Sequence, residues 1–293
     1  MNNKMQFINS FPKSVPGQHQ ERHPGIESSM NPRPIFDNPN YVASGKLKNK
    51  AALITGGDSG IGKAVALAYA KEGADISIVY YDEHEDAEET KKLIENLGRK
   101  CILIPGDITD SNFCNNAVNQ TVKSFNGLDI LVNNAAVQYT QNSIEDITNE
   151  QLEKTFKTNI FSMFYLVRAS LPHLKQGSSI INTASITAYN GDKELIDYSC
   201  TKGAIVTFTR SLALSLASMG IRVNAISPGP IWTPLIPSSF DATQVQQFGK
   251  DTPLTRPCQP VELAGAYVYL ASCDSSYVTG EILHVNGGKF VSG

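Results

Sequence analysis

Tyr198, Lys202 and, upstream of them, Ser185 are the residues of this chain whose types and spacing could do chemistry. Tyr198-Ser199-Cys200-Thr201-Lys202 lies in an apolar-periodic run, Leu195 to Met219, that reads as a helix, and residues four apart on a helix share a face. An ammonium beside a phenol favours the phenolate by charge attraction, so the tyrosine could exchange a proton near neutral pH as a general acid/base. Ser185 follows a strand-like run, Ser178 to Thr183, and a hydroxyl at a strand's carboxyl end could bind the oxygen whose proton the tyrosine handles. Tyr-x-x-x-Lys alone is a weak signal, because many helices carry it by chance. Its position downstream of a glycine-rich loop gives it weight.

That loop belongs to a chain of alternating strands and helices. The first strand, Ala51 to Thr55, is a continuous apolar run, as expected of a strand covered on both faces. Gly56-Gly-Asp-Ser-Gly60-Ile-Gly62 then leads into a helix through about Glu72. Further strands are read at Asp75–Tyr81, Lys100–Pro105, Asp129–Asn133, Ser178–Thr183, Ile221–Ile226 and Glu281–Val285, with helices at about Glu83–Leu97, Ser111–Phe125, Asn149–Leu171 and Leu195–Met219. An irregular segment from Ser227 to Pro260 and a helix to about Ser272 complete the pattern. Repeated units of this kind imply an α/β fold: one doubly wound Rossmann domain, a parallel sheet of about seven strands with helices on both faces. In such a fold the loop after the first strand turns tightly, lets backbone approach a pyrophosphate and aims a helix amino terminus at its charge. Gly56, Gly60 and Gly62 have the spacing G-x-x-x-G-x-G, in the strand-loop-helix context that makes the motif credible.

Residues 1–45 differ from the rest. They hold six of the 15 prolines and no periodicity, so they read as an extended arm unable to bury enough apolar surface to offset its ordering entropy. His19 and His23 in it read as solvated side chains. Residues 46–293 form the expected dinucleotide-binding and catalytic domain, with a substrate lid at about 229–260. The lid carries Trp232, Leu235, Ile236, Phe240 and Phe248 beside Asp241, Lys250, Asp251 and Arg256. Its length and prolines fit a lid that moves, and its apolar lining admits sugars, polyols, ketoacyl compounds or steroids.

Composition excludes several classes. A formal net charge of -3 with no clustered lysine or arginine argues against nucleic acid. No run reaches the roughly 18 apolar residues that span a bilayer, and the amino terminus lacks a secretion signal, so a cytoplasmic protein is expected. Cys101, Cys114, Cys200, Cys258 and Cys273 are dispersed and read as reduced thiols, with no metal site.

Thr55-Gly-Gly-Asp-Ser-Gly-Ile-Gly62, Asn133-Asn-Ala-Ala136, Asn159, Ser185, Tyr198-x-x-x-Lys202 and Pro228-Gly229 occur in an order that resembles the short-chain dehydrogenase/reductase family over about residues 46–293. The arm, through Gly17 to Glu27 and Met30 to Pro34, is similar to a bacterial subgroup of general stress or glucose/ribitol dehydrogenase-like proteins. The resemblance implies an NAD(P)-dependent oxidoreductase acting on a secondary alcohol or its carbonyl. Tyr198 would transfer the proton, Lys202 would lower its pKa and bind the nicotinamide ribose, and Ser185 would hold the substrate oxygen. Asn159 would hold a water in the proton relay. Gly56, Asp58, Ser59, Gly60, Ile61 and Gly62 would line the pyrophosphate site, Asp107 and Ile108 would meet the adenine, and Asn134, Ala135 and Ala136 the adenosine ribose region. Pro228, Gly229, Ile231 and Thr233 would flank the nicotinamide. Ala136 departs from the glycine usual there. A homotetramer is also implied, with the arm able to wrap a neighbouring subunit.

An acid after the second strand binds ribose hydroxyls and repels a 2'-phosphate, whereas an arginine accepts it. Tyr80-Tyr81-Asp82-Glu83, without a nearby cation in sequence, favours NAD over NADP, with Tyr81 and Asp82 as contacts. Two rivals remain: a 3-ketoacyl reductase, disfavoured by the scarcity of basic residues near the cofactor phosphate, and a non-catalytic NAD-binding sensor, disfavoured by the intact set of Ser185, Asn159, Tyr198 and Lys202.

Overall fold

The structure, a computed structural model, describes residues 7–291, so the first six residues of the arm lie outside it. Seven parallel strands form one sheet in the order β3-β2-β1-β4-β5-β6-β7. They are β1 (Ala51–Thr55), β2 (Asp75–Tyr80), β3 (Cys101–Pro105), β4 (Ile130–Asn133), β5 (Ser179–Thr183), β6 (Arg222–Pro228) and β7 (Ile282–Val285). Each lies within two residues of its sequence expectation at either end, because a buried apolar run is an unambiguous signal for a strand covered on both faces.

Successive residues of a strand point to opposite sides, and the core divides accordingly. Ala52 and Ile54 of β1 join one cluster, under helices α1 (Gly60–Lys71), α2 (His84–Asn96) and α9 (Val261–Ala271). Leu53 joins the other, under α3 (Ser111–Phe125), α5 (Ser162–Ser170) and α7 (Ile196–Leu216). The helix expected from Asn149 to Leu171 is not uniform. It runs as α4 (Asn149–Phe156), a π-helical turn at Lys157–Phe161, and α5. Such turns interrupt the regular hydrogen-bond ladder and commonly sit at functional sites. Two short helices, α6 (Thr187–Asn190) and α8 (Ala242–Gln247), lie in the segments that follow β5 and β6.

The arm does bury apolar surface. Val15 and Met30 share a small core with Trp232, Ile236 and Val245 of the lid, against which Phe240 and Phe248 also pack. Trp232 donates its indole N–H to the Pro32 carbonyl at 2.9 Å, and the Gln20 amide donates to Pro237 at 2.8 Å. The Val261 amide at the start of α9 donates to Ile35 at 3.0 Å. Arm and lid thus form one layer, in which each supplies apolar area that neither carries alone. At roughly 1.5–3 kcal/mol per buried Val, Met or Ile side chain, that area offsets much of the ordering cost that its composition suggested could not be met.

Candidate active site

A cleft of about 690 Å³ opens at the carboxyl ends of the strands, beside the point where the order reverses between β1 and β4. Its size falls within the roughly 300–1,000 Å³ of small-molecule and cofactor sites, and its location is where open α/β sheets bind ligands. The glycine loop forms its floor. Gly56 has φ of +63°, a left-handed conformation that side chains resist, and a Cβ on Gly62 would stand 1.8 Å from the Gly56 carbonyl oxygen. The loop can therefore fold back on itself only with glycine at these places. Ser59 caps α1 without any side-chain bond to its first turn, and Ser59, Gly60 and Ile61 bring the positive end of that helix to the cleft. These features fit the pyrophosphate of a dinucleotide.

At the other end, β5 and α7 bring Ser185, Tyr198 and Lys202 to the cleft wall. Tyr198 and Lys202 stand two and six residues past the start of α7 at Ile196, so their four-residue spacing places both on the face turned to the sheet. Lys202 Nζ donates to the Thr183 carbonyl at 2.8 Å and lies 5.3 Å from the centre of the Tyr198 ring. Ser185 Oγ accepts the Thr187 amide at 3.2 Å and lies within reach of the Tyr198 hydroxyl, whose pKa it draws down. Burial opposes that effect and wins, pushing Tyr198 up to about 12, while burial also pushes Lys202 down to about 7. The expected charge attraction between ammonium and phenol is therefore outweighed by desolvation of both groups. The phenol therefore holds its proton at neutral pH.

Asn159, in the π-helical turn, is fully buried and does not line the cleft. Its Oδ1 accepts the Val137 amide at 2.8 Å, and its Nδ2 donates to the Val137 carbonyl at 2.9 Å and to Thr201 Oγ1 at 3.1 Å. The side chain thus ties the loop after β4 to α7. Asn134 ties the same loop to β1, donating to the Thr55 carbonyl at 3.0 Å.

Of the other residues expected at the cofactor, Asp58, Ser59, Gly60, Ile61, Tyr81, Asp107, Ile108, Asn134, Ala135, Ala136, Pro228, Gly229, Ile231 and Thr233 all line the cleft with Gly56, whereas Gly62 and Asp82 do not. Gly62 lies behind the loop it permits. Asp82 is turned to Arg22 of the arm, which also donates to Glu83 at 3.2 Å. Glu83 and Asp58 are both buried at this end, and burial together with the Glu83 charge pushes Asp58 up to about 7.

The arm residues were not legible as part of the site. His23, Pro24 and Gly25 line the cleft. His23 was expected to be solvated, but it packs with its ring tilted 4.8 Å from the Tyr139 ring and its Nδ1 3.1 Å from Ser238 Oγ, and burial pushes it down to about 4, so it is neutral. Glu27 is fully buried against the loop, accepting the Gly60 amide at 2.7 Å and Lys63 Nζ at 2.8 Å. Cys200 and Cys273 are exposed, whereas Cys101 and Cys114 are buried. No group of three metal-ligating side chains occurs among the described residues.

No helix of the described residues is long and apolar enough to cross a membrane. The sequence model of the family described as Enoyl-(Acyl carrier protein) reductase matches residues 56–289. General stress protein 39 of Bacillus subtilis is 62% identical over 283 residues, covering 97% of this chain and 99% of that protein. Glucose and ribitol dehydrogenase of Daucus carota is 50% identical over 284 residues, with 95% and 98% covered. A short-chain dehydrogenase from Burkholderia cenocepacia in complex with NADP superposes with a TM-score of 0.78 at 31% identity, covering 83% of this chain and 99% of that one. A 3-ketoacyl-(acyl-carrier-protein) reductase from Brucella melitensis complexed with NADH gives 0.77 at 32% identity, covering 84% and 100%. With the fold, the glycine loop and near-complete coverage in agreement, this chain belongs to the short-chain dehydrogenase/reductase family and is an NAD(P)-dependent oxidoreductase.

Proposed function

We propose that the protein interconverts a secondary alcohol and its carbonyl, with Tyr198 as the general acid/base. The observation that carries this reading is the convergence of the Ser185 hydroxyl, the Tyr198 phenol and the Lys202 ammonium on the wall of the cleft whose floor is the glycine loop. With the dinucleotide held at that loop by its pyrophosphate, its nicotinamide would supply or take the hydride. Ser185 holds the substrate oxygen beside the phenol. In the reducing direction Tyr198 donates its proton to that oxygen as the carbonyl carbon gains hydride; in the oxidising direction the phenolate takes the proton back. Burial favours the donor form at rest, and Lys202, 5.3 Å from the ring, stabilises the anion left behind. Lys202 would also hold the ribose hydroxyls. Because the Asn159 side chain is engaged by Val137 and Thr201, any part it has in relaying protons falls to its main-chain carbonyl in the π-helical turn.

A sugar or polyol is the substrate class that the names of the relatives favour, and the half-apolar roof at Leu235, Ile236, Phe240 and Phe248 can pack one face of a ring. A ketoacyl substrate is the second reading, favoured by the likeness to the Brucella melitensis reductase. Asp58 and Glu83 at the adenosine end support NAD as the better cofactor. We also propose a cytoplasmic protein that assembles as a homotetramer, the assembly supported by the apolar rings that Phe161 and Phe164 leave exposed at the π-helical turn and α5; a monomer in a sedimentation experiment would refute it.

The test is reduced-nicotinamide formation from NAD and NADP across a panel of sugars, polyols and simple secondary alcohols, with ketoacyl thioesters in the reverse direction. Turnover confined to the thioesters would replace the first reading by the second.

A further inference from the structure

Three carboxyl groups gather at the adenosine-ribose end of the cleft, two in its wall and one outside the lining. Asp58 and Glu83 are buried in its wall, and Asp82 lies next to Glu83 at the end of β2. Nothing in the sequence between Gly56 and Glu83 places a cation against them, since Lys63 turns away to Glu27 and Glu89. Left alone, such a cluster repels a 2'-phosphate. The fold supplies what local sequence lacks: Arg22, some sixty residues upstream, crosses to the end of β2 and pairs with both Asp82 and Glu83. Among the described residues it is the cation in contact with these two acids. The cations that line the cleft, Lys154, Lys157, Lys202 and Lys289, belong to other walls, whereas Arg22 stands outside the lining and reaches it through Glu83, which it contacts at 3.2 Å.

Arg22 is also placed to exchange partners. Its side chain is 44% exposed and that of Asp82 45%, so neither is locked in the interior. Its chain position is fixed nonetheless. The next residue, His23, packs against Tyr139, and four residues on Glu27 is anchored by Gly60 and Lys63, so the backbone that carries Arg22 is pinned next to the cleft. A planar guanidinium matches phosphate with two parallel hydrogen bonds, better than it matches a solvated carboxylate.

We propose that Arg22 is a specificity-determining residue of the cofactor site: the arm supplies the guanidinium that admits a 2'-phosphate, so the balance between NADP and NAD is set from outside the dinucleotide fold. The proposal rests on the NAD(P) reading of the cleft. With NAD bound, Arg22 stays on Asp82 and Glu83 and holds Glu83 at the ribose end. With NADP bound, it turns to the phosphate and neutralises the acids that would reject it.

Direct fluorescence titration of the full-length protein with NADPH and NADH, with no substrate present, tests this. Arg22→Ala is expected to weaken NADPH by about 10–100-fold, the range of a charge-assisted hydrogen bond, and NADH by less than about threefold. Asp82→Asn, with Arg22 intact, is expected to tighten NADPH, and the double variant to lose that gain. Arg22→Lys should retain part of the NADPH affinity. Equal weakening of both cofactors in Arg22→Ala would make the arm a mere cover and overturn the proposal, as would no change in either. Should Arg22→Ala fail to fold, the Asp82→Asn titration decides, since an unchanged NADPH affinity there overturns it too. Failure of the wild-type protein to bind either dinucleotide would instead overturn the reading of the cleft.

Discussion

The two walls of the cleft are built by opposite means. The lower wall rises from the sheet: the glycine loop follows β1, Ser185 follows β5, and Tyr198 and Lys202 stand on α7, each positioned by an element a few residues away. The upper wall has no such support. Arm and lid meet across about two hundred residues of sequence, as when Trp232 donates to Pro32, and neither holds a strand of the sheet. The lower wall is held by a core made of buried strands, the upper by a small shared core and a few buried polar contacts. Chemistry is thus placed on the part that cannot move without unfolding, and cover on the part that can.

The largest expected effect lies in the lower wall. Tyr198→Phe removes the proton donor while leaving the ring, and the rate of carbonyl reduction should fall by roughly 10²–10⁴-fold, with NADH affinity within about twofold of wild type. Equal turnover in the variant would sink the mechanism.

In the upper wall the corresponding residue is Glu27. Replacing it by Ala leaves Lys63 Nζ buried with only Glu89 as partner and frees the Gly60 amide, and breaking a buried pair in this way costs roughly 3–5 kcal/mol. Denaturant unfolding measures the loss. Protease cleavage within residues 12–36 should accelerate far more than cleavage in the sheet. If both accelerate together, arm and body are one cooperative unit and the contrast between the walls is wrong.

Lys202 sharpens the contrast in the other direction. A buried amine held at about 7, against an ordinary 10.5, binds fewer protons folded than unfolded between those two values, so stability rises with pH across that window. Lys202→Met removes the penalty. It should abolish turnover, raise stability at pH 7 by roughly 1–4 kcal/mol and flatten the slope above pH 7. Thermal melting from pH 6.5 to 10 reads all of this except turnover, and an unchanged slope would mean that water or an anion already stabilises the ammonium.

What could be read from sequence follows the same division. β1 and the loop after it were legible because a strand buried on both faces is an unbroken apolar run, and because Gly56 takes a left-handed φ and Gly62 meets backbone too closely for any side chain. The Tyr198 and Lys202 pair was legible because helical spacing fixes it. Their titration was not: which of attraction and burial prevails depends on how far each group is withdrawn from water, and no local pattern encodes that. Nor was the π-helical turn, whose extra residue leaves the apolar period almost unchanged. Arg22 on Asp82, His23 on Tyr139 and Glu27 on Gly60 are contacts chosen by the path of an irregular segment, and a proline-rich stretch looks the same whether it is docked or free.

The smallest expected effect is the most local. Trp232→Phe keeps an aromatic ring in the shared core but removes the indole N–H that the Pro32 carbonyl accepts, and it leaves a cavity where the larger ring stood. A lost hydrogen bond of about 1 kcal/mol plus partial refilling of the void gives roughly 1–2 kcal/mol. That loss should be confined to the layer it belongs to. Hydrogen exchange should quicken for amides tied to the lid, such as Gln20 donating to Pro237 and Val261 donating to Ile35, while β1 and β4 keep their protection. Because the hydride-transfer wall is untouched, the limiting rate at saturating cofactor should hold and only cofactor release should change. Slower chemistry in this variant would show that the cover also tunes the reaction, and the two walls would then have to be treated as one device.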